Sequence, residues 1–251
     1  MAARFSNKII LVTGGNSGIG YAVAKQIINE GGKVIITGRD QESLRRAQME
    51  LGPNSEAIRS DSANLKDITS LFEQVKQKHG QIDGLFANAG IAKFAPVEMV
   101  TEEEFDSVFD VNVKGVFFTL QKAVPLLKPG SSVVLNASVV ASRGGAYNSV
   151  YAASKAAVRS MARTFSTSYV AQGLRFNAVS PGPIETPIWS RKDGTPTGSA
   201  ESMKSAIAEA NPMKRYGRPE EVSAAVTFLL SSESSYVLGS ELFVDGGFNQ
   251  L

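Results

Sequence analysis

Short runs of consecutive apolar residues alternate along this chain with longer segments whose apolar positions recur every three to four residues. The short runs, at residues 8–13, 33–37, 57–60, 82–87, 132–137, 175–180 and 241–244, predict β-strands. The longer segments, at 19–30, 41–51, 65–78, 101–127, 150–171 and 219–230, predict helices. The punctuation agrees. Gly31-Gly32 stops the first helix, Gly52-Pro53 follows the second, and Gly173 closes the one at 150–171. Thr101 followed by three glutamates suits a helix N-terminus.

The strands are apolar throughout rather than alternating, as in a parallel sheet covered by helices on both faces. Right-handed crossovers then give an α/β, doubly wound parallel sheet of the Rossmann type, with about seven strands in the order 3-2-1-4-5-6-7. Nothing resembling a linker or repeat divides the chain, so residues 1–251 read as a single domain. One irregular stretch, rich in Pro, Gly and Ser, runs from Pro181 to Pro219, with a short helix expected near 201–209. A long excursion after a strand reads as a lid, here residues 187–218.

Composition mainly excludes. The 26 basic and 24 acidic residues leave a net charge of +2, and the tightest basic clusters (Arg45-Arg46, Arg191-Lys192, Lys214-Arg215) form no stripe, so nucleic acid is not an expected partner. Cysteine is absent, which excludes disulfides and thiolate metal sites. The single histidine, His79, sits at a helix end and argues against serine–histidine catalysis and histidine-rich metal sites, so no metal is expected. A short polar start and the lack of a membrane-length apolar run predict a cytoplasmic protein that does not engage membranes. Asn136-Ala137-Ser138 matches a glycosylation signal by chance, at a predicted strand end in a chain without a secretory signal.

The first strand is followed by Thr13-Gly14-Gly15-Asn16-Ser17-Gly18-Ile19-Gly20. Glycines here permit a tight turn and let a pyrophosphate approach the backbone amides of a helix N-terminus. The spacing is T-G-x-x-x-G-x-G, and its place between first strand and first helix points to a nucleotide. The second strand ends Thr37-Gly38-Arg39-Asp40. An acid at this strand end binds the adenosine ribose of NAD, whereas a basic residue favours the 2′-phosphate of NADP. Gly38 stands where the acid is expected and Arg39 follows, favouring NADP(H) over NAD(H). Asp40 argues the other way if it binds ribose, and not if it caps the next helix.

Tyr151-Ala152-Ala153-Ser154-Lys155 lies in the long helix after the fifth strand, with Tyr151 and Lys155 on one helix face. An ammonium beside a phenol is expected to lower the phenol pKa and make a proton donor and acceptor of it. Ser138 lies at the end of the fifth strand, where open α/β sheets place ligands.

Taken together, T-G-x-x-x-G-x-G at 13–20, Asn88-Ala89-Gly90, Asn112, Ser138, Y-x-x-x-K at 151–155 and Pro181-Gly182 resemble the short-chain dehydrogenase/reductase family in its compact form. The resemblance covers essentially the whole chain, including the ending Val244-Asp245-Gly246-Gly247. It implies that Tyr151 exchanges the proton with the substrate oxygen and that Ser138 orients that oxygen. Lys155 would tune Tyr151 and hold the nicotinamide ribose. Asn112 would kink its helix and position a water that links Lys155 to solvent. On the cofactor side it implies Gly14, Asn16, Ser17, Gly18, Ile19, Gly20, Arg39, Ser62, Asn88, Ala89 and Gly90, with Asp61 accepting from the adenine amino group. Pro181, Gly182, Ile184 and Thr186 would form the nicotinamide-side loop. Two positions depart from the family pattern: Ala87 replaces the first Asn of Asn-Asn-Ala-Gly, and Ser62 replaces an aliphatic residue.

Phe94, Val140, Tyr147, Trp189 and Met203 are substrate-pocket candidates by position, and equally core or lid residues. The expected activity is hydride transfer between NADP(H) and a ketone or secondary alcohol, a small-molecule substrate. The alternatives are a 3-oxoacyl-(acyl-carrier-protein) reductase, for which Arg143, Arg191 and Lys192 offer a thin docking patch, and a sugar dehydrogenase. A sugar-nucleotide epimerase would carry a longer C-terminal part, and a non-catalytic NADPH-binding scaffold tends to lose Ser, Tyr or Lys. The resemblance also implies a homotetramer through the helices at 102–127 and 150–171.

Overall fold

The computed structural model describes residues 3–187 and 200–251. Strands β1 (Ile9–Val12), β2 (Lys33–Gly38), β3 (Ser55–Arg59), β4 (Ile82–Ala87), β5 (Leu127–Asn136), β6 (Arg175–Pro181) and β7 (Glu241–Val244) form one sheet in the order β3-β2-β1-β4-β5-β6-β7. Every pairing is parallel, so each connection crosses over a face. The crossovers carry α1 (Gly18–Asn29), α2 (Gln41–Leu51), α3 (Leu65–His79), α4 (Glu102–Phe109), α5 (Val116–Ala123), α6 (Ser149–Tyr169), α7 (Ala200–Ala210) and α8 (Pro219–Leu230).

Side chains alternate along a strand, so each strand supplies two cores. Leu11, Ile35, Val133, Leu135 and Phe176 pack against α3, α5 and α6. Ile10, Val12, Val34, Ile36, Val134 and Val179 pack against α1, α2 and α8. This is why the strands read as uninterrupted apolar runs. Side-chain caps set several helix starts: Asp40 accepts from Ser43 N at 2.8 Å, Asn64 from Lys66 N at 2.9 Å and Thr101 from Glu104 N at 3.2 Å.

The helix predicted over 101–127 is interrupted. Between α4 and α5, residues Asp110–Gly115 form a π-helical segment, and Val124–Leu126 close the run as a 3₁₀ turn. Within that segment Gly115 must lack a side chain, since a Cβ there would overlap the Ser62 carbonyl oxygen. Alanine normally stabilises a helix relative to glycine, but here the overlap decides the sign. Gly115→Ala is expected to destabilise the protein by about 1–3 kcal/mol in urea unfolding.

Three 3₁₀ turns, Val97–Met99, Val139–Ala141 and Ser232–Ser234, carry no period long enough to read in sequence. Strand β5 starts five residues before its predicted onset, with a register irregularity between Ile82 and Gly84 on β4. Helix α7 lies where the short helix was expected. The rest of the predicted lid, 188–199 with Trp189, Arg191 and Lys192, lies outside the described residues, as does the Met203 side chain. No described helix is long and apolar enough to cross a membrane.

Candidate active site

One cavity of about 1210 Å³ opens where the sheet's C-terminal strand ends face the loops. It is lined by the glycine-rich turn (Gly14, Asn16, Ser17, Gly18, Ile19) and by Arg39, Asp61 and Ser62. Asn88, Ala89, Gly90, Ser138, Tyr151 and Lys155 line it too, and so do Pro181, Gly182, Ile184 and Thr186. Gly20 and Asn112 stand behind this lining. Of the substrate candidates, Phe94, Val140 and Tyr147 line the cavity. Tyr147 takes a left-handed backbone (φ 67°), unusual for a bulky residue, and its carbonyl accepts from Ala95 N at 2.9 Å.

The turn after β1 is shaped from behind. Thr13 Oγ1 accepts from Asn88 N at 2.9 Å and Ala89 N at 3.0 Å. Asn88 Nδ2 donates to the carbonyls of Thr13 (2.9 Å) and Gly14 (3.2 Å), and its Oδ1 accepts from Asn136 Nδ2 at 2.9 Å. Gly20 must lack a side chain: a Cβ there would overlap the Gly14 carbonyl and lie 2.6 Å from Asn88 Nδ2. Ser17 makes no side-chain cap, which leaves the first amides of α1 at the cavity, with the positive end of the helix dipole, for an anion. These features fit the pyrophosphate of a nicotinamide dinucleotide.

At the end of β2, a Cβ on Gly38 would lie 2.8 Å from Asn16 Oδ1, so a side chain there requires the Asn16 amide to move. Asn16 Nδ2 donates to Ser43 Oγ at 2.9 Å, and Ser43 Oγ donates to Asp40 O at 3.2 Å. The Asp40 carboxylate is engaged as the cap of α2. Asp61 Oδ1 accepts from Ala63 N at 3.0 Å, which closes the turn after β3.

Ser138 lies two residues past the end of β5, lines the cavity with Tyr151 and opposes the upward shift of its phenol. Tyr151 packs edge-on against Phe94, with ring centroids 6.1 Å apart. Lys155 Nζ donates to the Asn136 carbonyl at 2.7 Å and lies 5.7 Å from the centre of the Tyr151 ring. Asn112, fully buried, accepts from Ile91 N at 2.9 Å and donates to Ile91 O (2.9 Å) and Ser154 Oγ (3.0 Å). It therefore ties the π-helical segment to the Gly90 loop and to α6.

The electrostatics correct one expectation. Burial pushes Tyr151 up to about 12, with the Ser138 hydrogen bond opposing, and burial pushes Lys155 down to about 8. Desolvation outweighs the effect of the ammonium on the phenol, so Tyr151 holds its proton at neutral pH. Lys155 also gives a pH signature. Between about pH 8 and its ordinary 10.5 the unfolded chain holds the Lys155 proton and the folded one does not, so stability rises with pH across that window. Below pH 8 both states are charged and the full cost of burying the ammonium is present. Denaturant unfolding of the ligand-free protein and its Lys155→Met variant is expected to show the wild type gaining about 3 kcal/mol on the variant across the window. Parallel pH curves for the two would contradict it.

Sequence reasoning placed Thr13 in the glycine-rich motif without a role of its own and missed Asn136 as a site residue; Thr13 acts through its hydroxyl and Asn136 through its carbonyl. Asn136 carries the carbonyl that holds Lys155, and its buried Oδ1 has no hydrogen-bond partner among the described residues. Its place two residues before Ser138 was the available signal. Arg143, read as a docking charge, is instead engaged with Phe248, a cavity residue that sequence reasoning also missed. Among the described residues no cluster of acids and histidine suits a metal.

Comparison with known proteins agrees with this geometry. A family model described as enoyl-(acyl carrier protein) reductase matches residues 14–249. Oxidoreductase asL5 of Sarocladium schorii is 42% identical over 99% of this chain and 98% of its own. Levodione reductase of Leifsonia aquatica is 37% identical over 97% of this chain and 95% of its own. The structure of a 3-ketoacyl-(acyl-carrier-protein) reductase from Brucella melitensis complexed with NADH superposes with a TM-score of 0.89 at 30% identity, covering 97% of this chain and 99% of that one. With fold, glycine-rich turn and relatives in agreement, the chain belongs to the short-chain dehydrogenase/reductase family and is a nicotinamide-dependent oxidoreductase of alcohol and ketone groups.

Proposed function

We propose that the protein is an NADP(H)-dependent carbonyl reductase that works reversibly as an alcohol dehydrogenase. The observation that carries this reading is the convergence of Ser138, Tyr151 and Lys155 beside Phe94 in the cavity that also holds the glycine-rich turn. The bound cofactor supplies or accepts the hydride at the substrate carbon. The chain's own residues handle the oxygen. Ser138 and Tyr151 hydroxyls hold it, and Tyr151, protonated at neutral pH, donates the proton in reduction and takes it back in oxidation. Lys155, fixed on Asn136 O, holds the ribose and keeps positive charge near the phenol. Asn112 positions the Gly90 loop and α6, and a water linking Lys155 to solvent.

The glycine-rich turn cradles the pyrophosphate, Asp61 takes the adenine amino group, and the loop of Pro181, Gly182, Ile184 and Thr186 meets the nicotinamide side. The choice of NADP rests on Arg39 at the cavity, with glycine rather than an acid at position 38 and Asp40 engaged as a cap. Residues 187–218 act as a lid within a single domain. The exposed Phe105, stacked on Phe109 at 4.4 Å, and Phe117 support association into a homotetramer through α4, α5 and α6. The working place is the cytoplasm.

The test is consumption of NADPH and of NADH against a panel of ketones and diketones. NADPH is expected to be used well ahead of NADH. Arg39→Leu is expected to raise KM for NADPH by about 10–100-fold, the worth of a charged hydrogen bond, and to leave that for NADH little changed. Preference for NADH in the wild type would defeat the Arg39 assignment. Tight cofactor binding with no turnover would favour a non-catalytic scaffold.

A further inference from the structure

The residues after β7 form a built turn. Buried Asp245 accepts from Gly247 N and Asn249 N, both at 2.9 Å, one on each carboxylate oxygen. Leu251 N donates back to Gly247 O at 3.0 Å. The Asp245 carbonyl accepts from Asn211 Nδ2 at 2.9 Å. Asn211, 2% exposed, directly follows α7, and its Oδ1 accepts from Met213 N at 2.8 Å. The turn is therefore fastened to the end of the helix that belongs to the lid.

Its other fastening comes from the catalytic side. Arg143, on the loop between Ser138 and Tyr151, donates through Nη1 to the Phe248 carbonyl, and its guanidinium lies 4.3 Å from the centre of the Phe248 ring. Hydrogen bond and cation–π contact act on the same residue, 105 positions away in the chain. Both Arg143 and Phe248 line the cavity. The guanidinium, exposed to solvent along its other donors, is thus committed to the tail through one hydrogen bond and one ring contact.

We infer that Arg143 latches the C-terminal turn across the substrate end of the cavity, and that Phe248, so held, is a specificity-determining wall facing apolar, ring-bearing ketones. The specificity role rests on the carbonyl-reductase reading; the latch does not. Phe248 contributes a ring to a cavity already lined by Phe94 and Tyr147, so flat apolar groups find aromatic faces there. Asn211 and Asp245 are positioning residues that keep the turn in place. Lysine cannot replace Arg143 fully, because it lacks the planar fork that meets a carbonyl and a ring together.

The deciding experiment measures kcat/KM for a bulky aryl ketone and a small aliphatic ketone in wild type, Phe248→Ala, Arg143→Ala, Arg143→Lys and the double alanine variant. A ratio cancels any general loss of folded enzyme. Phe248→Ala is expected to shift the ratio away from the aryl ketone by about tenfold, because the ring face that favours it is lost. Arg143→Ala shifts it the same way, Arg143→Lys falls between, and the double variant goes no further than Phe248→Ala, since both act through one wall. A shift under about twofold in Phe248→Ala, or additive effects in the double variant, overturns the specificity role. Release of Leu251 and Gln250 by carboxypeptidase gives a readout without turnover. Arg143→Ala is expected to speed release several-fold, and unchanged release overturns the latch. If the wild type reduces no ketone, the carbonyl-reductase reading and the specificity role fail together, while release still decides the latch.

Discussion

Tyr151→Phe is expected to lower kcat for ketone reduction by about 10²–10⁴-fold while cofactor still binds. The substitution removes one hydroxyl and keeps the ring that meets Phe94 edge-on. The lost hydrogen bond to Ser138 costs on the order of 1 kcal/mol of stability, too little to unfold the chain. The rate loss would then be chemical, because the ring and its packing remain while the phenolic proton is gone. Turnover with NADPH and titration of cofactor fluorescence separate the two effects. A variant within about tenfold of wild type would move proton transfer to another group or to water.

Asn112→Ala is the second large effect, and it acts through structure. The side-chain amide satisfies the Ile91 amide and carbonyl and Ser154 Oγ, and Ser154 Oγ in turn donates to the Tyr151 carbonyl at 2.7 Å. Truncation strands two backbone groups beside the Gly90 loop, at a cost of about 2–4 kcal/mol. Thermal unfolding of a chain this size should fall by roughly 5–15 °C. Asn112→Asp keeps the acceptor for Ile91 N but sets a buried carboxyl oxygen against the Ile91 carbonyl, so it should be at least as destabilising as alanine. A positioning role also predicts a raised KM for cofactor, which a merely cavity-forming change distant from the loop would not produce. An Asn112→Ala protein as stable as wild type would mean that solvent replaces all three bonds.

Much of the arrangement was legible before any coordinates. Continuous apolar strands such as Ile82–Ala87 and three-to-four-residue periods such as Gln41–Leu51 report burial directly, because alternation and helical pitch are local geometry. Caps such as Thr101 and stops such as Gly173, with its left-handed backbone, are local too. The cavity lining followed from order along the chain, since parallel connections place the strand ends on one edge of the sheet. The π-helical segment was not legible. Its period differs too little from an α-helix over six residues, and the carbonyl of Ser62 that excludes a side chain at Gly115 lies far away in the chain.

The direction of the Tyr151 shift was lost for a similar reason. A spacing of four residues places Lys155 on the same face, yet only packing decides that Nζ is drawn to Asn136 O and that both groups are desolvated. Reading along the chain was enough for the sheet, its crossovers, the glycine-rich turn and the side chains proposed for acid–base chemistry, because these depend on period, backbone freedom and functional groups. Packing alone decided that the Asn16 amide lies against Gly38, that the Asn112 amide bonds Ile91 and Ser154, and that Arg143 holds Phe248. Each of those joins residues far apart in the chain, and proximity of that kind is a property of the packed sheet and its loops, not of neighbouring positions.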